Sequence, residues 1–235
     1  MTKKIFFVIL ITSFIVFPQP KDPEKILDNV KAEFNKIEDY TVDVKIKVDV
    51  DFVKIPEREV KIYYKKPDKI HIESEVFVMI PKEGLNFSPL SLLNSNYTSF
   101  YVRQDTIDGT VTSVIKVIPL DGKSDVILST LWIDKKRYII KKIESSRKPE
   151  GTFTIDLDYL KTNTGFWLPS SMIFTFTFDR SMLPRNFNLD NDSELKKELT
   201  DSTRSHTGKV ILDYSNYKVN TGLSDKIFEW KNSTK

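Results

Sequence analysis

From Tyr40 to Phe52 the chain alternates without a break: Tyr40, Val42, Val44, Ile46, Val48, Val50 and Phe52 are separated by Thr41, Asp43, Lys45, Lys47, Asp49 and Asp51. Successive side chains leave a β-strand on opposite faces, so this period of two predicts one long strand with an apolar face and a charged face. Wound as a helix, the same residues would scatter around the whole circumference and leave no apolar stripe. At roughly 3.3 Å per residue the strand would reach about 40 Å, well past the common strand of about five or six residues. A strand that long twists and curls, so its sheet is expected to bend around whatever covers the apolar face.

The neighbouring segments supply that cover and the rest of the sheet. Asp22-Pro23-Glu24 reads as a helix start: Asp caps, Pro suits the first helical position, and Glu favours the positive end of the helix dipole. Ile26, Leu27, Val30, Phe34 and Ile37 then recur at helical spacing, which predicts an amphipathic helix lying on the apolar face. Beyond a break at Ile55-Pro56, alternation resumes at Val60, Ile62 and Tyr64 and, past the turn Lys66-Pro67-Asp68, at Ile70, Ile72, Ser74 and Val76. These runs extend an antiparallel meander. Further strand patterns cover 100–104, 111–118, 126–133, 138–145, 152–160, 171–178 and 209–217. They are punctuated by Asp108-Gly109, Asp121-Gly122, Asp134-Lys135-Lys136 and Asn163-Thr164-Gly165. In one of them Met172, Phe174, Phe176 and Phe178 share a face. The expected fold is mainly β with few helices, an α+β arrangement in which roughly ten strands form one strongly curved antiparallel sheet.

Two segments depart from the pattern. Between Phe77 and Leu93, apolar residues including Leu85, Phe87 and Leu90 crowd around Pro81, Gly84 and Pro89, too broken for a strand and too apolar for an exposed loop. The segment reads either as a loop or short helix that plugs one end of the sheet, or as a lid over a ligand cavity. From Arg180 to Gly208 the chain is polar, Asn-rich and weakly helical, an insertion that reads as a solvated loop or as a partner-binding arm.

Composition removes several function classes. Hydrophobic residues make up 40% and charged residues 29%, the balance of a folded domain rather than a disordered chain. The formal charge is +3, and Lys3 and Lys4 account for two of those charges, so the remainder is nearly neutral and gives no electrostatic case for nucleic acid. Those lysines precede an apolar run from Ile5 to Phe17 and a Pro18-Gln19-Pro20 exit. This reads as a secretory signal peptide over residues 1–20, with an uncleaved membrane anchor as the alternative, ahead of a single domain over 21–235. There is no cysteine, hence no disulfide, no thiolate ligand and no site for lipoprotein acylation. His71 and His206 have no ligand pattern around them, and no phosphate loop, nucleophile elbow or zinc-helix motif is present. Asp43, Asp49 and Asp51 share an open face with Lys45 and Lys47, which suits cross-strand pairing rather than acid catalysis. Neither an enzyme nor a cofactor or metal is expected.

What remains is apolar surface, and its natural guest is an acyl chain. At about 0.8 kcal/mol per buried CH₂, a chain of about sixteen carbons offers roughly 13 kcal/mol before entropic costs, with no placed polar group required. Shared parity on neighbouring strands puts Tyr40, Val42, Val44, Ile46, Val48, Val50, Ile62, Tyr64, Ile72, Phe174 and Phe176 along such a concavity. Leu85, Phe87 and Leu90 would cover it from the lid.

The order of elements also resembles a known family. The helix and long strand lead to Lys65-Lys66-Pro67-Asp68-Lys69. Ile118-Pro119-Leu120-Asp121-Gly122-Lys123 follows, with Leu131-Trp132-Ile133-Asp134-Lys135-Lys136 and Lys142-Ile143-Glu144 after it. Trp167-Leu168-Pro169 and the closing Tyr217-Lys218-Val219-Asn220, Gly222-Leu223 and Phe228 complete the pattern. Over residues 22–230 this is similar to the LolA-like carriers of outer-membrane lipoproteins. The resemblance implies an unclosed half-barrel covered by helices. It implies a monomer that binds lipoprotein acyl chains or phospholipid in the periplasm, between an inner-membrane donor and an outer-membrane acceptor. A lipid-sensing regulatory module signalling through the insertion, and an envelope protein with a filled core, are the alternatives. The segment from Arg180 to Gly208 has no counterpart in the family pattern, and neither Arg58 nor Arg103 is assigned to the arginine that locks the family's lid.

Overall fold

The computed structural model describes residues 22–50, 53–54, 56–74, 93, 96–120, 125–148, 151–178 and 206–229. Its first element grows from the predicted cap. Asp22 accepts the backbone N–H groups of Glu24 at 3.0 Å and Lys25 at 3.4 Å, and Pro23 opens α1 (Pro23–Phe34). Leu27 and Val30 are buried, Ile26 and Phe34 pack beside them, and Ile37 is buried just past the helix. The five apolar positions at helical spacing therefore face one way.

The strands are β1 (Asp39–Val50), β2 (Val53–Lys54), β3 (Arg58–Lys65), β4 (Lys69–Glu73), β5 (Tyr97–Ile107) and β6 (Thr110–Pro119). They continue with β7 (Val126–Asp134), β8 (Ile140–Arg147), β9 (Thr152–Lys161), β10 (Trp167–Phe178) and β11 (His206–Val219). All belong to one antiparallel sheet in the order β4-β3-β1-β11-β10-β9-β8-β7-β6-β5, with the short β2 turned back on β1. The long alternating strand thus lies between the early meander and the late one. A 3-10 turn at Asp225–Phe228 follows β11.

How far the sheet curls follows from what one turn of α1 touches. Lys31 donates to the Tyr97 hydroxyl of β5 at 2.8 Å, while the Phe34 ring meets that of Tyr64 on β3 at 5.8 Å. With neighbouring strands roughly 4.8 Å apart, a flat sheet would hold β3 and β5 nearly 40 Å from each other, more than twice the helix's length of about 18 Å. The sheet must wrap around the helix. Its edges, β4 and β5, do not pair, so the described residues form an open half-barrel with α1 in its concavity.

Several boundaries differ from the sequence reading. The 138–145 run begins as a strand only at Ile140, because Tyr138 has φ 54 and its N–H closes the β7–β8 turn onto Asp134 O. In the last run the strand reaches back past Lys209 to His206, which pairs with Phe178. Gly208 and His206 therefore belong to the sheet and not to the polar insertion, since ladder hydrogen bonds continue through a glycine that interrupts the hydrophobic pattern. Residues 1–20, Asp51, Phe52, the 77–92 part of the apolar segment and the insertion up to residue 205 lie outside the described residues.

Candidate functional site

Register turns the period of two into a continuous wall. Val48 stands beside Val210, Val210 beside Phe174, Phe174 beside Ile155 and Ile155 beside Ile143. The row continues through Leu131 and Ile115 to Tyr101 on the edge strand. Adjacent side chains on one face of a sheet are the unit of its packing, so a single apolar row spans the half-barrel from β1 to β5. Ile46, Leu212, Met172 and Leu157 make a second row next to it.

The predicted concavity residues lie on this inner side. Val42, Val44, Ile46, Ile62 and Phe174 are buried in the main apolar cluster, and Tyr40, Val48, Ile72 and Phe176 are partly buried against it. Tyr64 is buried in a second cluster with Ile37, Leu168 and Val219. Val50, half-buried, is paired with Gly208 near the strand end, and Leu85, Phe87 and Leu90 lie outside the described residues. Sequence reasoning left out Val210, Leu212, Ile155, Ile143, Leu131 and Ile115. The parity of Val210, Leu212 and Tyr214 would have found the first two, but which face of β6 to β9 is concave depends on register. Register also separates the two unassigned arginines. Arg58 is opposite Ile46 and shares the inward parity of Val60, Ile62 and Tyr64, whereas Arg103 pairs with Asp105 at 2.8 Å and is exposed.

On the convex face, charge pairing runs across strands. Asp43 meets Lys61 at 3.5 Å and Lys45 meets Glu57 at 2.7 Å. The Asn216 amide, followed by Lys61, holds the Asp43 carboxyl below the usual carboxylate range. These pairs are exposed and solvent-screened, so they suit solubility more than stability. Among the described residues no group of three or more His, Cys, Asp or Glu is placed to hold a metal ion.

Toward the end where α1 passes into β1, the wall becomes aromatic. Tyr40 stacks on Tyr64 with ring centroids 5.0 Å apart and meets Tyr217 edge-on at 5.8 Å, and Tyr217 stacks on Tyr214 at 6.3 Å. Burial, reinforced by the neighbouring phenols, pushes Tyr40, Tyr214 and Tyr217 well above the usual tyrosine range. They are neutral hydroxyls at any physiological pH. A carboxylate clasp closes this end. Asp39, 3% exposed, accepts the N–H groups of Thr221 at 2.8 Å, Gly222 at 2.9 Å and Leu223 at 3.2 Å, together with the Thr221 hydroxyl at 3.3 Å. Beside it Asn220 accepts from Glu38 N at 2.7 Å and donates to Lys36 O at 3.1 Å.

Next to the clasp, a pocket of about 320 Å³ opens between the last turn of α1, the β7–β8 turn and the β9–β10 turn. Small-molecule pockets run from about 300 to 1,000 Å³, so it is of binding size. Phe34, Ile140, Tyr159, Trp167 and Leu168 give it an apolar lining, with Arg137 at the border. None of the residues predicted to line the concavity borders it. Arg137 is fixed twice, by Asp134 Oδ2 at 2.9 Å and by the Trp167 ring, whose centroid is 4.3 Å from its guanidinium carbon. Asp134 is itself buried and takes the N–H groups of Lys136 and Arg137, so the predicted turn Asp134-Lys135-Lys136 leads directly into the lining residues Arg137 to Ile140 and holds Arg137 at the border.

No family model and no curated protein matches the sequence. Solved structures do match the fold. A DUF1329 family protein from Desulfovibrio piger is 13% identical with a TM-score of 0.61, covering 89% of this chain and 98% of that one. A domain assigned to outer membrane lipoprotein sorting, from Vibrio parahaemolyticus, is 13% identical with a TM-score of 0.57, covering 87% and 95%. A LolA superfamily protein from Nitrosomonas europaea is 14% identical with a TM-score of 0.52, covering 87% and 96%. Likeness at these identities is likeness of fold. The chain has a LolA-like fold, and none of its described helices is long and apolar enough to cross a membrane.

Proposed function

We propose that this LolA-like half-barrel holds the acyl chains of a lipoprotein or phospholipid against its inner wall. It would carry them across the cell envelope between an inner-membrane donor and an outer-membrane acceptor. The observation that carries the reading is the apolar row from Val48 to Tyr101 on the inside of an open sheet. An open sheet can part from its cover without breaking its ladders, whereas a closed barrel has no free edge to give way. Tyr40, Val42, Val44, Ile46, Val48, Val50, Ile62, Tyr64, Ile72, Phe174 and Phe176 are the proposed contacts, with Leu85, Phe87 and Leu90 over them. The pocket beside Trp167 extends the same apolar surface past the end of α1 and gives a chain terminus somewhere to go. The basic and apolar start of the chain supports delivery to the periplasm, and no catalytic step is assigned.

Native mass spectrometry of the protein purified from bacterial envelope, followed by organic extraction, tests the reading. Bound lipid or acylated peptide is expected at about one per chain. A mass equal to the bare polypeptide, with no uptake of added phospholipid or lipopeptide, would refute it.

A further inference from the structure

One row of the inner wall carries hydroxyls. Register places Ser99 beside Val117, Val117 beside Ser129, Ser129 beside Ser145 and Ser145 beside Phe153. These positions share the inward parity of Ile115, Leu131, Ile143 and Ile155, all fully buried. Ser129 and Ser145 are each 1% exposed, and their Oγ atoms are 2.7 Å apart. A serine hydroxyl has one hydrogen to donate, and a single bond between two serines uses one of the two. The second hydrogen finds no acceptor in that contact. Two strands away, Ser99 Oγ is buried and has no hydrogen-bond partner among the described residues. A buried hydroxyl in a hydrocarbon wall costs free energy unless something accepts from it, and alanine at these positions would line the same wall without that cost.

We propose that this row receives the ester or amide carbonyls that join acyl chains to their parent group. The inference rests on the acyl-binding reading above and narrows the ligand from hydrocarbon in general to carbonyl-linked acyl groups. A carbonyl oxygen has two lone pairs and no hydrogen, the complement of a surplus O–H donor, and a bare alkyl tail has neither. With strands roughly 4.8 Å apart, Ser99 and Ser129 stand about 10 Å from each other across Val117. Two carbonyls separated by several bonds match that spacing, as on a glycerol unit bearing more than one acyl group. The tails would then lie along the adjoining row of Leu131, Ile143 and Ile155. Membrane phospholipids and the acylated ends of lipoproteins both present such carbonyls.

The test compares a diacyl phospholipid and a synthetic diacylated lipopeptide with their dialkyl ether counterparts, titrated into the full chain and followed by displacement of a fluorescent fatty-acyl probe. Wild-type protein is expected to prefer the carbonyl-linked form about tenfold, the scale of one or two neutral hydrogen bonds. Combining Ser99→Ala, Ser129→Ala and Ser145→Ala is expected to abolish that preference, the affinity for the carbonyl-linked form falling to about that for its ether counterpart. Removing both members of the serine pair together leaves no orphaned partner, and thermal unfolding of the variant confirms its fold. A preference confined to the lipopeptide identifies lipoprotein as the source of the carbonyls, and one confined to the phospholipid identifies membrane lipid. Equal affinity for ester and ether in the wild-type protein, a comparison that needs no variant, overturns the serine row and leaves acyl binding standing. Failure to take up any of the four ligands overturns the acyl-binding reading itself.

Discussion

Replacing Asp39 by alanine should show how much of the half-barrel depends on one carboxylate. Its two oxygens take three backbone N–H groups and a hydroxyl from Thr221, Gly222 and Leu223, tying the chain after β11 to the first residue of β1. Hydrogen bonds to a charged acceptor contribute about 1.5–3 kcal/mol each. Thr221 and Gly222 are exposed, so water takes over their donors in the variant, and only the low end of that range applies to them. The three bonds from Thr221 and Gly222 at about 1.5 kcal/mol and the one from Leu223 at about 1.5–3 kcal/mol sum to about 6–7.5 kcal/mol. At about 2–4 °C per kcal/mol for a chain of about 150–250 residues, the midpoint of thermal unfolding should fall by roughly 12–30 °C. Asp39→Asn keeps one acceptor oxygen but turns an NH₂ group toward other donors, so its midpoint should lie between the two. Circular dichroism on heating reads all three, and Asp39→Ala combined with Asn220→Ala should lose less than the sum of the single losses, because both residues secure the same crossing. A fall of less than about 3 °C for Asp39→Ala would show that Asn220 and the ladder hold this end unaided, and the clasp argument would fail.

Leu212→Glu places a carboxylate in the middle of the inner wall and should cost more than about 3 kcal/mol and abolish acyl-probe binding, both read on one preparation. The same substitution at Ile46 would be a weaker test, since Arg58 stands opposite Ile46 and would be placed to pair with the new charge. A folded Leu212→Glu protein that binds normally would show that the concave face is misassigned. Gly208→Ala puts a Cβ 2.6 Å from Phe176 Cζ, so the ring must swing off the glycine, at an expected cost of about 1–3 kcal/mol and with a changed near-ultraviolet dichroism spectrum. An unchanged spectrum would mean the ring does not lie across Gly208. Trp132 donates to Asp105 at 3.1 Å, and this bond, with those from Thr106 N–H and Arg103, holds the carboxyl below its usual value. A lowered carboxyl contributes fully above the unfolded value of about 4 and less as pH falls through its folded one, so tryptophan emission should shift only below about pH 4. Asp105→Asn should remove that transition, and an identical acid titration in the variant would exclude the assignment.

The individual elements were legible because each is a local pattern. Asp22-Pro23-Glu24 capped the helix as read, and the alternation from Tyr40 to Val50 is a strand with charge on one side and hydrocarbon on the other. Asp134-Lys135-Lys136 makes the turn its residues suggest. The apolar parity of the proposed contact residues was visible for the same reason, since a strand's two faces are written in its own sequence. What was not legible depends on groups far apart in the chain. The clasp joins Asp39 to residues more than 180 positions away, and nothing near Asp39 distinguishes it from the exposed aspartates of the same strand.

By itself, then, the sequence determined the helix, the strands, the apolar face of β1, β3 and β10 and the absence of cysteine chemistry. Tertiary structure decided the strand order, with β1 paired to β11, and therefore which apolar faces join into one wall, which serines share a row and where the pocket beside Trp167 opens. Side-chain parity is fixed by backbone geometry within a few residues. Strand partnership is fixed by register between segments that meet only when the whole sheet has curled around its helix.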